Sequence, residues 1–251
     1  KRKTDMYNLS IQNYLQKHSC QNINLKAVLI DMDGVLYDSM RNHAQAWYLT
    51  MTEQGIKCSP EEFYLYEGRT GASTINLLFN REFGHGVTDE EVHRIYRLKT
   101  DFFNRMPKAK PMPGAAGFLD NIRKKGLIPV LVTGSGQSSL IDKLNHSYPG
   151  AFMPKYMVTA FDVKYGKPDP EPYLMGLKKA GVEPNQAIVI ENAPLGVQAG
   201  VAAGIFTIGV NTGPLDDKVL IDAGADLLLS SMQQLSESFD DIYYQLENTS
   251  F

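Results

Sequence analysis

Residues whose side chains could do chemistry follow four separate apolar segments of this chain. Two carboxylates, a hydroxyl beside small residues, a lysine, and an acid next to an amide stand at these places. The four motifs are Asp31-Met32-Asp33-Gly34, Thr133-Gly134-Ser135, the loop that carries Lys167, and Glu191-Asn192.

Phosphoryl transfer through a carboxylate needs this set of groups. A carboxylate can attack phosphorus, and a divalent cation then screens the repulsion between carboxylate and phosphate. Mg²⁺ takes oxygen ligands from carboxylates, amides, backbone carbonyls and water. A hydroxyl, backbone N–H groups and a lysine can hold the phosphate oxygens. An acid two residues beyond the nucleophile, as Asp33 is from Asp31, can carry the proton of the leaving or attacking oxygen.

The elements that must position these groups are short buried strands. Apolar, β-branched runs alternate with helical stretches, which is typical of βαβ units and a mostly parallel sheet covered on both faces. Ligands of such sheets bind beyond the carboxyl ends of the strands. We therefore predict an α/β fold whose four motifs meet at one sheet edge. The predicted strands span residues 26–30, 128–132, 156–159, 187–190, 205–210 and 226–229.

Residues 40–107 interrupt this alternation. They contain three amphipathic helical patterns, at 43–54, 73–83 and 89–104, and no convincing strand. A helical insert between the first and second strands fits this pattern better than a continuous sheet does. Four further helices are predicted at 117–125, 138–144, 170–180 and 195–203.

Composition excludes several classes of protein. The chain has 251 residues, a formal net charge of −3 and no basic block, so we expect no nucleic-acid partner. No apolar run approaches the roughly 18 residues of a membrane span, and Cys20 and Cys58 are too few for a disulfide framework. We expect a cytoplasmic monomer. Residues 1–22 read as a docked or mobile leader without a secretory signal.

Taken together, the four motifs resemble those of the haloacid dehalogenase-like (HAD) superfamily of phosphotransferases in order and spacing. The insert lies where β-phosphoglucomutase-like members carry a helical cap. The resemblance covers about residues 25–230 and implies Mg²⁺ as cofactor and a small phosphorylated substrate. It also implies a Rossmann-like parallel-sheet core at 23–38 and 110–251, with an α-helical cap at 39–109.

The resemblance implies a role for each matching residue. Asp31 would be the nucleophile and a metal ligand, and Asp33 the general acid/base that also binds metal through its backbone carbonyl. Lys167 would bridge nucleophile and phosphate. The remaining groups are phosphate contacts, from Thr133 and the backbone of Gly134 and Ser135, and metal ligands, from Glu191 and Asn192.

This chain departs from the family pattern at the metal motif. The fourth motif of the superfamily usually has two acids, and here Asn192 takes the second place. An amide oxygen can bind Mg²⁺ but adds no charge.

A second departure lies in the cap loop. Where sugar-phosphate mutases carry a lysine and an arginine, this chain has Glu67 and Gly71. Glu67 either faces solvent or closes over the core and helps to bind the metal. The second arrangement favours a small, highly charged substrate. Arg69, Thr70 and His43 are further expected substrate contacts, and His43 is first interpreted as a hinge or packing residue.

We therefore predict a Mg²⁺-dependent phosphohydrolase acting through an aspartyl-phosphate, with inorganic pyrophosphate as favoured substrate. A β-phosphoglucomutase is the first alternative, and a non-enzymatic phosphate-binding module is the second. A dehalogenase would lack an acid two residues after the nucleophile, so Asp33 argues against that class.

Overall fold

A six-stranded parallel sheet forms the centre of the computed structural model, which describes residues 3–136 and 140–250. The strand order is β3-β2-β1-β4-β5-β6, so the first strand lies in the middle. The predicted α/β class is confirmed. The strands are β1 (Ala27–Ile30), β2 (Ile128–Val132), β3 (Met157–Val158), β4 (Ala187–Glu191), β5 (Phe206–Val210) and β6 (Leu227–Leu229).

Helices cover both faces of this sheet, and the strands are therefore apolar on both sides. In β1, Val28 and Ile30 pack into one buried cluster while Ala27 and Leu29 pack into another. A strand buried on both faces reads as a continuous apolar run, as this one does. The helices of the core are α1 (Lys3–His18), α5 (Ala115–Lys124), α6 (Leu140–Ser147), α7 (Glu171–Ala180), α8 (Pro194–Ala202), α9 (Asp217–Asp222) and α10 (Met232–Asn248).

Three helices lie between β1 and β2, where the sequence predicts the insert: α2 (Met40–Glu53), α3 (Gly71–Phe83) and α4 (Asp89–Asn104). Residues 39–109, all of them described, include no strand. The three helices share a hydrophobic cluster of their own, with Met51, Leu78 and Ile95 fully buried. We call this helical segment the cap, although its limits as a separate domain stay a prediction.

The first helix is docked on the core. Its Tyr7, Ile11, Tyr14 and Leu15 are at most 1 % exposed and belong to the cluster on one face of the sheet. Tyr14 Oη donates a hydrogen bond to the carbonyl of Gly204 at 2.7 Å. The leader, predicted to be docked or mobile, is docked in this structure from Lys3 onward.

The helix predicted from Ser138 is described from Leu140, since Ser138 lies outside the described residues, as do Lys1 and Arg2 of the leader. Within the described ranges, no helix has the length and apolarity that crossing a membrane requires.

The buried face of α1 should contribute measurably to stability. Leu15 is 0 % exposed and Leu9, on the same helix, is 53 % exposed. Leu15→Ala should lower the free energy of unfolding by about 2–5 kcal/mol because it leaves a cavity. The matched control Leu9→Ala should change it by about 0.5 kcal/mol or less. Urea unfolding followed by circular dichroism measures both, and equal effects would mean that α1 is not part of the core.

Candidate active site

Three of the four motifs lie on adjacent strands. Strand β1 pairs in parallel with β2 on one side and β4 on the other, with Ile30 opposite Leu131 and Ile190. Asp31 follows the end of β1, Thr133 follows the end of β2, and Glu191 is the last residue of β4. These three residues therefore lie at one edge of the sheet. All three are at least 94 % buried. The predicted meeting of the motifs at this edge is what the structure has.

Lys167 brings the remaining motif to the same point. Its Nζ donates to Asp31 Oδ1 at 2.5 Å, to Glu191 Oε1 at 2.6 Å and to the carbonyl of Val132 at 3.2 Å. The three protons of the ammonium thus have three acceptors. Burial lowers the pKa of Lys167, but the two carboxylates outweigh it and raise that pKa above its usual range.

Asp33 faces the cap rather than Lys167. Its Oδ1 accepts a hydrogen bond from Ser39 Oγ at 2.5 Å and lies 3.1 Å from His43 Nε2. Burial raises the pKa of Asp33, but His43 and the hydroxyl of Ser39 outweigh burial and give a net shift downward. His43 therefore joins the site as a direct partner of an acid, beyond the hinge or packing role first considered for it.

Lys99 of α4 is a site residue that the sequence reasoning missed. Its Nζ lies 2.8 Å from His43 Nδ1 and 5.0 Å from the ring centroid of Phe103. Burial lowers the pKa of Lys99 to about 8. A chain of contacts thus runs from Asp33 through His43 to this buried amine. No sequence motif marks Lys99, because only the packing of α4 against α2 brings this residue to His43.

Glu67 of the cap loop reaches the core. Its two carboxylate oxygens lie 3.1 and 3.3 Å from Asn192 Nδ2, which donates to them. Burial, and then the neighbouring Asp31, Glu191 and Asp33, raise the pKa of Glu67 well above its usual value. Of the two arrangements considered for Glu67, the closed one is present in this structure.

The residues at this edge fit a divalent cation. Asn192 Oδ1 is buried without a hydrogen-bond partner among the described residues, and burial and then Glu191 raise the pKa of Asp31 to about 8. Closely spaced acids and an unpaired amide oxygen are hard donors of the kind Mg²⁺ prefers.

The acidic side chains of the predicted ligand set are not arranged as a metal-binding group in this structure. In the described residues, no three His, Cys, Asp or Glu side chains are arranged to hold a metal. Asp31, Glu191 and Glu67 together are thus not a ready set of carboxylate ligands. The role of each in metal binding stays a prediction.

A cavity between core and cap collects most of the predicted substrate contacts. Thr70 lies elsewhere: its hydroxyl accepts the N–H of Ser73 and caps α3, and it lines a neighbouring groove with Lys167. Aromatic residues of the cap, including Trp47 and Tyr96, also line the cavity. The predicted residues that line it are Asp31, Asp33, His43, Glu67, Arg69, Thr133, Gly134 and Ser135.

Comparison with known proteins gives a family match over most of the chain. A model described as "Hydrolase: haloacid dehalogenase-like hydrolase" matches residues 25–204. Hexitol phosphatase A of Escherichia coli is 32 % identical over 213 residues, which cover 84 % of this chain and 93 % of that protein. 2-Deoxyglucose-6-phosphate phosphatase 1 of Saccharomyces cerevisiae is 30 % identical, with 83 % of this chain and 88 % of that protein covered.

A solved structure with high similarity is described as "Putative beta-phosphoglucomutase from Bacteroides vulgatus". It is 57 % identical to this chain and superposes on it with a TM-score of 0.95. The match covers 98 % of this chain and 100 % of the other chain. The likeness therefore extends beyond the segment that the family model matches, to the first helix α1 and the last helix α10.

Asn192 contacts Glu67 and is also a predicted Mg²⁺ ligand, and its replacement should affect these two roles differently. Asn192→Asp puts a carboxylate beside Glu67, so in EDTA the like charges should lower Tm by about 2–4 °C, which corresponds to about 1 kcal/mol at this chain length. The same variant should bind Mg²⁺ more tightly than the wild type, because the added charge attracts the cation. Asn192→Ala should weaken Mg²⁺ binding. Calorimetric titration with MgCl₂ and thermal unfolding in EDTA measure both effects. Unchanged Mg²⁺ affinity in both variants would remove Asn192 from the ligand set.

Proposed function

Because the chain belongs to the haloacid dehalogenase-like hydrolase family, we propose that it is a Mg²⁺-dependent phosphohydrolase that forms a phosphoryl-enzyme on Asp31. One observation carries this proposal. Asp31 lies at the end of the central strand, paired with Lys167 at 2.5 Å, and lines the same cavity as Asp33. A buried carboxylate next to a cation and open to a cavity is suited to attack a bound phosphoryl group.

The proposed reaction has two steps at these side chains. An oxygen of Asp31 bonds to phosphorus while the bond from phosphorus to the leaving oxygen breaks, and Asp33 supplies that oxygen with a proton where it needs one. Water then attacks phosphorus with Asp33 as base, releasing inorganic phosphate and restoring Asp31. Lys167, the Thr133 hydroxyl and the backbone N–H groups that follow it hold the phosphate oxygens.

The cation would be held by oxygen atoms of Asp31, Asp33 and Asn192, with Glu67 completing the site from the cap. It would supply charge neutralisation between the carboxylate nucleophile and the phosphate.

Inorganic pyrophosphate is the substrate that we propose, and Glu67 supports it. This carboxylate occupies the position at which sugar-phosphate mutases carry a lysine, and it lies against Asn192 at the core. An acid there repels a substrate phosphate unless a cation stands between them. A small substrate that carries most of its charge next to the cation satisfies this requirement. None of the relatives named above is a pyrophosphatase.

Hexose phosphates are the second candidate, and a different observation favours them. The two curated relatives act on phosphorylated hexitols and deoxyglucose by their names, and the solved relative is described as a mutase. The cavity also offers aromatic walls from Trp47 and Tyr96 and a cation, Lys99. Apolar walls with a few fixed polar groups suit an organic substrate.

Substitution of the nucleophile tests the mechanism. Asp31→Asn should abolish phosphate release because an amide cannot form the phosphoryl-enzyme. Asp33→Asn should slow the reaction by about 10²–10⁴-fold, the usual contribution of general acid/base catalysis. Phosphate release is followed colorimetrically, and beryllium fluoride with Mg²⁺ should protect the wild type, but not Asp31→Asn, from thermal unfolding. Substantial turnover by Asp31→Asn would exclude an aspartyl-phosphate.

A substrate panel separates the two candidates. Hydrolysis of pyrophosphate should exceed hydrolysis of hexose phosphates and any isomerisation of β-glucose 1-phosphate. Glu67→Gln should reduce pyrophosphate hydrolysis by about 10²-fold, the scale of losing one electrostatic group in a transition state, and should raise the Mg²⁺ requirement.

Glu61→Gln is the matched control, because Glu61 lies exposed in the same stretch of the cap. It should behave as the wild type does. A preference for glucose phosphates, with Glu67→Gln equal to its control, would exclude pyrophosphate and favour the mutase or hexose-phosphatase alternative.

A further inference from the structure

The carboxylate of Glu191 is hydrogen-bonded on both oxygens. Oε1 accepts from Lys167 Nζ at 2.6 Å and from Tyr173 Oη at 2.7 Å. Oε2 accepts from the backbone N–H groups of Asn192 at 3.0 Å and Ala193 at 3.3 Å. Donors from two side chains and from two backbone N–H groups at the start of α8 thus fill four acceptor positions, about as many as a carboxylate has.

A recess in the fold encloses this carboxylate. A Cβ atom added at Gly196 would lie 1.8 Å from Glu191 Oε1, so only glycine leaves room for it on the side of α8. Tyr173, which donates to the same carboxylate, is 0 % exposed. Its helix, α7, can lie close to the sheet because Gly176 faces Leu29 and Val132 without a side chain.

We infer that Tyr173 is a positioning residue, whose hydroxyl holds Glu191 turned towards Lys167 so that Glu191 orients the lysine rather than binding the metal. The inference rests on the proposed function, in which Lys167 holds the phosphate beside Asp31. Neither the motif pattern nor its spacing points to Tyr173, which lies six residues beyond Lys167 and on a helix.

The Tyr173 hydroxyl limits how the Glu191 carboxylate can turn. The Tyr173 ring also lies 5.1 Å from Lys167 Nζ, so one side chain contacts both members of the ion pair. Without the hydroxyl, Glu191 Oε1 has one donor instead of two inside a water-poor recess. The carboxylate keeps Lys167 and the two backbone N–H groups as donors, but its orientation towards the lysine is less firmly held, and Lys167 in turn has a less fixed partner. An ammonium displaced by even 1 Å holds the transferring phosphoryl group poorly.

Tyr173→Phe isolates this contact, because it keeps the ring and removes one hydroxyl. With the preferred substrate of the wild type at saturating Mg²⁺, kcat should fall about 10-fold while KM stays within about 2-fold, the pattern of a lost transition-state interaction. The Mg²⁺ Kd, measured by calorimetry without substrate, should stay within about 2-fold of the wild type, because the variant changes no charge.

Tyr14→Phe is the matched control. Tyr14 is 1 % exposed and donates one hydrogen bond of 2.7 Å to a carbonyl remote from the site. Both variants should lose similar thermal stability, while the control keeps kcat. A kcat for Tyr173→Phe within about 2-fold of this control would overturn the inference, as would a loss of Mg²⁺ affinity as large as the loss of kcat.

A double-mutant cycle tests whether the hydroxyl acts through Glu191. In a Glu191→Gln background, Tyr173→Phe should lower kcat by less than about 2-fold, because the effects of substituting residues that act as one unit do not add. An equal loss in both backgrounds would mean that Tyr173 acts by another route.

A measurement without metal or substrate separates this inference from the proposed function. The Lys167 ammonium, buried and fully hydrogen-bonded, should give a slowly exchanging ¹H–¹⁵N side-chain signal, assigned by its loss in Lys167→Met. Tyr173→Phe should shift or broaden that signal, and Tyr14→Phe should not. An unchanged signal would overturn the inference. A wild type that hydrolyses no phosphate compound would refute the proposed function and leave this readout intact.

Gly196→Ala provides a second variant in case Tyr173→Phe does not fold. Its Cβ would lie 1.8 Å from Glu191 Oε1 and would therefore displace the carboxylate. The same change in the Lys167 signal and the same fall of kcat without a change in KM are expected, and a wild-type signal would contradict the inference.

Discussion

The electrostatic balance around the buried Lys167 is the constraint on which the rest of the site depends. The carboxyl edge of the sheet gathers Asp31 and Glu191 within hydrogen-bond distance of one ammonium. Buried charges are tolerated only when they are paired and hydrogen-bonded. One lysine cannot neutralise these two acids and also Glu67, which the cap adds. Burial, and then this excess of negative charge, raises the pKa values of Asp31 and Glu67. A divalent cation would remove the excess charge.

The two departures from the family pattern are physically linked. Asn192 donates to both oxygens of Glu67, which an aspartate at that position could not do. A carboxylate in the cap loop is therefore compatible with an amide in the metal motif, whereas two acids would repel each other across the seam between cap and core. Gly34 permits this arrangement, since it has a φ of +82° and a Cβ there would lie 1.9 Å from Asn192 Nδ2.

Much of the fold and the core of the site could be predicted from the sequence, because both depend on local signals. Strands buried on two faces are continuous apolar runs, and the residues after parallel strands share an edge. Lys99 and Tyr173 were missed because helix packing alone brings them to His43 and Glu191. Thr70 is a predicted substrate contact, and this stays a prediction. In the structure its hydroxyl caps α3, a use of threonine that the motif does not reveal.

The cap places a carboxylate and an amine in the lining of one cavity. Glu67 lies beside Asn192, where the cation is proposed, and Lys99 lies beside His43, the partner of Asp33. An anion bound between them is attracted to Lys99 and repelled by Glu67 unless a cation accompanies it. In the function that we propose, the cap would therefore favour a substrate that arrives with its metal and carries several negative charges. An acid in place of a lysine in the cap would in this way change specificity while the four core motifs stay the same.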